Sequence, residues 1–161
     1  MNAPQPARIV LTHPAGWIAS GFGVGLSPRA PGTVASLVAL LPWWLYLQHL
    51  SFAVYAGLLV FAFAVGVLAS NWVIAKTRVE DPSVVVWDEF IGQWIALLLA
   101  PTGLLWMLGG FVLFRLFDIW KPWPVSWADR KLHGGFGAML DDVLAGLYAF
   151  VVLQIAAYFL R

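Results

Sequence analysis

Charged residues are missing from three long stretches of this chain, residues 34–75, 90–114 and 143–160. Uncharged stretches of this length are typical of helices that cross a lipid bilayer, because a hydrocarbon core of about 30 Å takes roughly 20 apolar residues. The composition agrees, since 61% of the residues are hydrophobic and only 11% are charged, whereas soluble domains carry about a quarter charged residues. We therefore predict an all-α integral membrane protein.

The three stretches predict about five helical segments. The first stretch is long enough for two helices, near 34–48 and 53–75, because the polar residues Gln48 and His49 interrupt it. The last stretch predicts one helix that ends at Arg161. Counting from a cytoplasmic N-terminus, Arg161 is then the only charge on the far side of the membrane.

The middle stretch predicts a short hairpin, with arms at about 84–100 and 103–120 and a break near Pro101-Thr102-Gly103. Basic residues tend to stay on the cytoplasmic side of a membrane, and they occur on both flanks of this stretch. A hairpin returns the chain to the side it came from, whereas a single crossing does not. The arms then carry four charged residues within the inner leaflet or its headgroup layer: Asp88, Glu89, Arg115 and Asp118.

No linker or internal repeat divides the chain, so we predict a single membrane-embedded domain, residues 1–161. The Pro- and Gly-rich first 30 residues do not resemble a cleavable signal peptide. Basic residues are interspersed with acids at a net charge of +1, which argues against a nucleic-acid partner. The chain has no cysteine, which excludes disulfides and thiolate chemistry.

Two acidic pairs are the strongest candidates for a functional site. Asp88-Glu89 enters an apolar helix, and Asp141-Asp142 opens the last helix after a loop with three glycines. Charged groups at such positions cost several kcal/mol unless they are paired, metal-bound or hydrated, and four neighbouring carboxylates repel one another without a cation. They predict an oxygen-ligand site for Mg²⁺. The alternative is two ordinary helix starts, where the helix dipole favours acids.

A second group of charges ends the hairpin. Arg115, Asp118 and Lys121 recur every three residues and therefore share one face of a helix. Asp118 is a further candidate metal ligand, and Arg115 and Lys121 are candidates for binding phosphate oxygens. The alternative is a ladder of internal ion pairs with ordinary cytoplasmic anchoring.

Three features carry weaker signals. His133 precedes two glycines and is a candidate general acid or phosphate ligand, although a lone histidine in a surface loop is more often a bystander. The Gly-rich segment Gly21–Thr33 offers backbone N–H groups with Ser27 and Thr33 to a phosphate, or merely turns the chain into the first helix. The tryptophan-rich residues 123–131 are interpreted as a surface anchor at the membrane interface.

Three sequence blocks resemble the phosphatidylglycerophosphatase A family: GFGVGLSPRAPGT (21–33), VVWDEFIGQW (85–94) and FRLFDIWKPWPVSWADRKLHGGFGAMLDDVLAG (114–146). They keep the family's order and spacing and cover roughly a third of the chain. The resemblance implies a Mg²⁺-dependent, multi-pass phosphatase of the bacterial inner membrane with its active site on the cytoplasmic side. Such enzymes hydrolyse phosphatidylglycerophosphate to phosphatidylglycerol and phosphate in phospholipid biosynthesis.

The residues and the resemblance together assign roles to matching positions. The predicted catalytic residues are Asp88, Glu89, Asp118, His133 and Asp142. The predicted metal ligands are Asp88, Glu89, Asp118, Asp141 and Asp142. The predicted phosphate-binding residues are Ser27, Thr33, Arg115 and Lys121. The predicted partners are the phospholipid substrate and the bilayer itself.

Two reaction routes stay open at this point. In one, a metal-activated water attacks phosphorus in line with the leaving glycerol oxygen; in the other, Asp118 or Asp142 forms an aspartyl-phosphate. Another lipid-phosphate phosphatase or a phosphotransferase is the alternative function, although the DG…AR…G…D…D array of CDP-alcohol transferases is absent. A cation transporter is disfavoured, because it needs polar residues across the whole bilayer depth.

Overall fold

The computed structural model describes the backbone of residues 6–160 and the side chains of residues 9–160, and no β-strand occurs in this part of the chain. Its eight α-helices, named α1 to α8, are Pro6–Leu11, Pro14–Ala19, Pro31–Leu45, Phe52–Thr77, Trp87–Ala96, Leu104–Trp120, Val125–Lys131 and Gly134–Phe159. Two short 3-10 helices, Val24–Leu26 and Leu47–His49, lie in the connecting loops. The all-α prediction is confirmed.

The number of helices is larger than the predicted number of about five. Five of the helices, α3, α4, α5, α6 and α8, correspond to the predicted segments. The other three, α1, α2 and α7, have only six or seven residues and lie outside the uncharged stretches. Each begins at or directly after a proline, whose fixed φ suits a helix start. A search for long apolar runs does not detect helices of this length.

Two helices, α4 and α8, are long and apolar enough to cross a membrane. Each has 26 residues, which corresponds to about 39 Å at the rise of an α-helix. Large apolar side chains stay exposed on their outer faces, including Phe61 at 70% and Ile155 at 54% exposure. Extended apolar surface of this kind is typical of proteins that contact a membrane or a partner. The membrane setting itself stays a prediction.

Helices α5 and α6 form the predicted hairpin. The chain turns between Leu97 and Gly103, and the turn is completed by Gly103, whose φ of 131° is accessible to glycine but costly for other residues. The side-chain amide of Gln154 on α8 donates a hydrogen bond of 3.0 Å to the carbonyl oxygen of Leu98. Residues 97–103 thus turn instead of extending α5, which makes the first arm shorter than predicted, whereas α6 matches the predicted second arm to within one residue.

Helix α5 is the centre of the fold and packs against α3, α4, α6 and α8. All of its residues are buried except Asp88 and Glu89, which are half-buried. The indole N–H groups of Trp87 and Trp94 donate hydrogen bonds of 3.0 and 2.9 Å to backbone carbonyls of α4 and α3. These bonds fix the position of α5, and with it the position of its two acids.

Helices α5 and α8 approach each other closely where Gly92 faces Gly146. A Cβ atom added to Gly146 would lie 2.5 Å from the carbonyl oxygen of Gly92, and one added to Gly92 would lie 2.7 Å from that of Asp142. Both distances are shorter than real Cβ contacts, so glycine at these two positions permits the approach. The approach brings Asp142 beside the start of α5.

The charged segments meet at one end of the helices. The backbone N–H of Gly135 donates a hydrogen bond of 2.8 Å to Asn71 Oδ1, which joins the end of α4 to the start of α8. The starts of α3 and α5 and the end of α6 line a common cavity at this end. The predicted place of Arg161, on the opposite side, lies outside the described residues.

Candidate active site

A cavity of about 460 Å³ opens where these segments meet. Its walls come from the starts of α3, α5 and α8, the end of α6, helix α7, and the loop between α4 and α5. The acidic residues of the wall are Glu80, Asp81, Asp88, Glu89, Asp118, Asp129, Asp141 and Asp142. Lys121 and His133 are the basic residues of the wall. Most of its charge is therefore negative.

Three carboxylates form a compact cluster at the inner end of the cavity. Asp88, Glu89 and Asp142 each offer one oxygen, and these oxygens lie within 4.8 Å of one another. Oε2 of Glu89 and Oδ2 of Asp142 are buried and have no hydrogen-bond partner. Burying a carboxylate without a partner is costly, whereas oxygen ligands are what Mg²⁺ and Ca²⁺ prefer. The donor set therefore fits a divalent cation of this type.

The other two predicted metal ligands are balanced by basic side chains. Asp118 lies 2.7 Å from Arg115 Nη1, and Asp141 lies 2.8 Å from Lys121 Nζ. The structure thus separates the five predicted ligands into three carboxylates without a cation and two with one. Because five acids face only two cations, the group keeps an excess of negative charge, which favours binding of a cation.

Arg115 stands behind the cluster and does not line the cavity. Its Nε and Nη1 atoms are buried and have no hydrogen-bond partner, so its contact with Asp118 is an ion pair without a hydrogen bond. A Cβ atom added to Gly32 would lie 2.0 Å from Glu89 Oε1 and 3.5 Å from Arg115 Nη1. The start of α3 is therefore pressed against Glu89, with Arg115 close to both.

Lys121 is a fixed ammonium group in the cavity wall. It ends α6 in the left-handed conformation, with φ at 47°, and its Nζ contacts both Asp129 on α7 and Asp141 on α8. Burial disfavours the charged form, but the hydrogen bonds to these two carboxylates outweigh burial and raise the pKa of Lys121. Lys121 therefore stays protonated at any physiological pH.

Asp129 is the site residue that the sequence interpretation missed. It lies within residues 123–131, which were assigned as a whole to a surface anchor. The structure places Asp129 in the cavity wall, in contact with Lys121. The available signal was its residue type, since it is the only acid among the tryptophans and basic residues of this segment.

His133 lies at the rim of the cavity. It precedes the first residue of α8, and its Nδ1 atom lies 2.9 Å from Oε1 of Glu80 in the loop between α4 and α5. Both side chains are largely exposed, at 65% and 70%. An exposed contact of this kind contributes little to stability. The predicted catalytic role of His133 stays a prediction.

The Gly-rich segment meets the cavity through other residues than the two predicted. Ser27 and Thr33 do not line the cavity, and the hydroxyl of Ser27 donates a hydrogen bond of 3.0 Å to the carbonyl oxygen of Arg29. Pro31 and Gly32 line it instead. They form the first turn of α3, whose free backbone N–H groups and dipole favour anions. The phosphate-binding roles of Ser27 and Thr33 stay predictions.

The fold and the site together define a class of protein. Its described residues form an all-helical protein with exposed apolar flanks, and at one end a cluster of carboxylates whose oxygens fit a divalent cation lies beside fixed basic groups. Such a combination suits reactions at a phosphate ester, in which cations neutralise the phosphoryl oxygens.

Residues 17–157 match the sequence model of the family described as phosphatidylglycerophosphatase A, and the chain therefore belongs to this family. The phosphatidylglycerophosphatase A of Escherichia coli (strain K12) is 41% identical over 148 residues, which are 91% of this chain and 86% of that protein. The protein of the same name from Haemophilus influenzae is 38% identical over 154 residues, 95% of this chain and 94% of that protein. The predicted family and the prediction of an enzyme are confirmed.

A third relative carries a different name. A protein of Bacteroides thetaiotaomicron, provisionally named a phosphatidylinositol-3-phosphatase, is 41% identical over 152 residues, which are 88% of this chain and 92% of that protein. No solved structure matches the chain. All three names denote a phosphatase that acts on a phosphorylated lipid, and the third relative is named for a different lipid from the other two.

Proposed function

We propose that this chain hydrolyses phosphatidylglycerophosphate to phosphatidylglycerol and inorganic phosphate, with Mg²⁺ as its cofactor. Two relatives named phosphatidylglycerophosphatase A, similar over most of the chain, support the reaction. The observation that supports this cavity as the site of the reaction is the cluster of Asp88, Glu89 and Asp142. These three carboxylates have no cation of their own and lie in the same cavity as the fixed ammonium of Lys121.

The charge of the cavity makes a cation necessary for substrate binding. A phosphate monoester carries up to two negative charges near neutral pH, and the acid-rich wall repels it. Lys121 supplies one positive charge at the wall, and Arg115 supplies another behind Glu89. These two do not balance the five acids around them, so the remaining positive charge has to come from the metal. Removing the metal therefore weakens binding as well as the chemical step.

Mg²⁺, when bound to Asp88, Glu89 and Asp142, supplies charge neutralisation for the phosphoryl group and a lowered pKa for water. Lys121 donates hydrogen bonds to the phosphoryl oxygens as negative charge builds on them. A carboxylate of the wall accepts a proton from the attacking water as the new oxygen–phosphorus bond forms. The bond from phosphorus to the glycerol oxygen breaks, and that oxygen takes up a proton, for which His133 at the rim is the candidate donor.

The proposed location is the bacterial inner membrane, with one multi-pass phosphatase domain over residues 1–161 and the cavity facing the cytoplasm. The exposed apolar faces of α4 and α8 support the membrane setting. The basic residues around the cavity support its cytoplasmic orientation. In this arrangement the acyl chains of the substrate stay in the bilayer while the phosphorylated headgroup enters the cavity.

The test is phosphate release by the purified full-length chain in detergent. With phosphatidylglycerophosphate and Mg²⁺ we expect turnover that EDTA abolishes and added Mg²⁺ restores. Because the name of the third relative suggests a second candidate function, phosphatidylinositol 3-phosphate is assayed in parallel. Faster hydrolysis of that lipid would favour the second function, and no release from either lipid with Mg²⁺ would contradict both.

The aspartyl-phosphate route is tested by a trapping experiment. If Asp118 or Asp142 attacks phosphorus, the glycerol oxygen leaves and the phosphoryl group stays on that carboxylate until water displaces it. Acid quenching of a single turnover with excess enzyme then traps a phosphorylated chain, and borohydride reduction converts the phosphoaspartate to homoserine, which peptide mass spectrometry locates. Direct attack by water leaves no phosphoenzyme at any time in the turnover, and a phosphoaspartate at either position would replace the direct-water mechanism.

A further inference from the structure

A second groove, of about 320 Å³, lies beside α7 and shares no lining residue with the cavity. Its four lining residues are Trp123, Trp127, Arg130 and Lys131. The two tryptophans are 76% and 47% exposed, which is unusual for rings of this size. The groove is therefore aromatic and basic, whereas the cavity is acidic.

The two cations of the groove are free to bind an anion. Arg130 Nε donates a hydrogen bond of 2.9 Å to the carbonyl oxygen of Ser126, which orients the guanidinium and leaves its other N–H groups available. Neither Arg130 nor Lys131 forms an ion pair with another described side chain. Lys121, by contrast, contacts two carboxylates. The positive charge of Lys121 is thus already balanced by acids, whereas that of the groove is not.

We propose that this groove binds an anionic phospholipid of the surrounding bilayer, separate from the substrate in the cavity. The lipid phosphate pairs with Arg130 and Lys131, and the glycerol and upper acyl region packs against Trp123 and Trp127. Tryptophan prefers this depth of a membrane, because its ring is apolar and its N–H is polar. A soluble anion satisfies the cations only, whereas an anionic lipid also covers the exposed rings.

Helix α7 connects this groove to the cavity. Asp129 lies between the groove residues in sequence, yet it lines the cavity and contacts Lys121. A lipid that holds α7 in place therefore also holds the carboxylate that positions Lys121. This consequence rests on the proposed function, whereas lipid binding itself does not.

The binding test is native mass spectrometry of the full-length chain in detergent, titrated with phosphatidylglycerol or with phosphatidylcholine. EDTA is present, so that no metal ion helps the acidic cavity to bind an anionic lipid. The measurement also does not depend on turnover. We expect the wild type to form a phosphatidylglycerol adduct, and we expect its apparent affinity to fall roughly 30-fold in Arg130→Gln/Lys131→Gln. This number follows because each basic residue near an anionic surface contributes about 1 kcal/mol, and about 1.4 kcal/mol corresponds to a tenfold change in affinity. The matched control is Arg29→Gln/Arg78→Gln, which removes two exposed cations outside the groove.

The outcomes separate this proposal from the catalytic one. Equal phosphatidylglycerol affinity in the groove variant and the wild type would overturn it, as would equal binding of phosphatidylcholine. A Trp123→Ala variant gives a second check, because this exposed side chain can be removed without opening the core, and we expect it to weaken the phosphatidylglycerol adduct. Loss of hydrolysis with retained lipid binding would count against the proposed reaction alone.

Discussion

The carboxylates of the cavity differ in what balances their charge, and this difference predicts their sensitivity to substitution. Asp142 is 4% exposed, and its Oδ2 atom has no partner in the described structure. We expect Asp142→Asn and Asp88→Asn each to lower kcat/KM at least ~100-fold, since a metal site contributes several kcal/mol and each 1.36 kcal/mol is tenfold. Steady-state assays across a Mg²⁺ titration check this, and the variants should need more Mg²⁺ than the wild type.

Asp81→Asn is the matched control for these variants. Asp81 also lines the cavity, but it is exposed, forms no ion pair in the described structure and lies outside the cluster. We expect its activity and Mg²⁺ requirement to stay near those of the wild type. Equal losses in Asp81→Asn and Asp142→Asn would mean that the cavity acts through its overall charge instead of through a defined metal site.

Lys121 and Asp129 are predicted to act as a coupled pair. Lys121→Gln removes a group that binds the phosphoryl oxygens, and we expect it to raise KM and lower kcat. Asp129→Asn leaves the ammonium in place but frees it from one of its two carboxylates. Because this ion pair is half-exposed, we expect a smaller effect, roughly three- to tenfold and mostly in KM. If Asp129 acts through Lys121, the double variant loses less than the product of the two single losses.

Helix packing controls the site through the contact between α5 and α8. Gly146→Ala would place a methyl group 2.5 Å from the carbonyl oxygen of Gly92, and overpacking of this kind costs about 1–3 kcal/mol. We expect a lower unfolding temperature in detergent and a loss of activity, because the helices that carry Asp142 and Asp88 are pushed apart. Thermal unfolding followed by circular dichroism, together with the phosphatase assay, measures both effects.

The control for packing is Gly57→Ala on α4. Nothing lies within 4 Å of a Cβ atom at this position, and alanine in a helix interior is more favourable than glycine by roughly 0.5–1 kcal/mol. We expect unchanged activity and an unfolding temperature equal to or above that of the wild type. Equal destabilisation by both substitutions would mean that loss of a glycine is itself harmful in these helices, and the close contact at Gly146 would no longer explain its effect.

For the molecule as a whole, much of the helix arrangement and of the candidate site can be predicted from where the charged residues lie along the sequence. The hairpin was predictable because basic residues flank both of its ends, and the acidic pairs were predictable because carboxylates are costly in an apolar chain. The short helices α1, α2 and α7 were not predictable, since six or seven residues carry no periodic apolar signal. The contact of Asp129 with Lys121 was not predictable either, because it depends on how α7 packs against α8, which no local pattern of residues encodes.

The orientation of the bundle gives the last prediction. The hydrogen bond between Gly135 and Asn71 and the contact between His133 and Glu80 join the end of α4 and the loop after it to the start of α8, so these segments must lie on one side of the membrane. The chain has no cysteine, which makes single-cysteine variants straightforward to interpret. In right-side-out vesicles we expect a membrane-impermeant maleimide to label His49→Cys, beyond the opposite end of α4, but not Asp81→Cys or Arg130→Cys. Labelling of Asp81→Cys without Arg130→Cys would separate the two acidic pairs and remove the basis for a shared metal site.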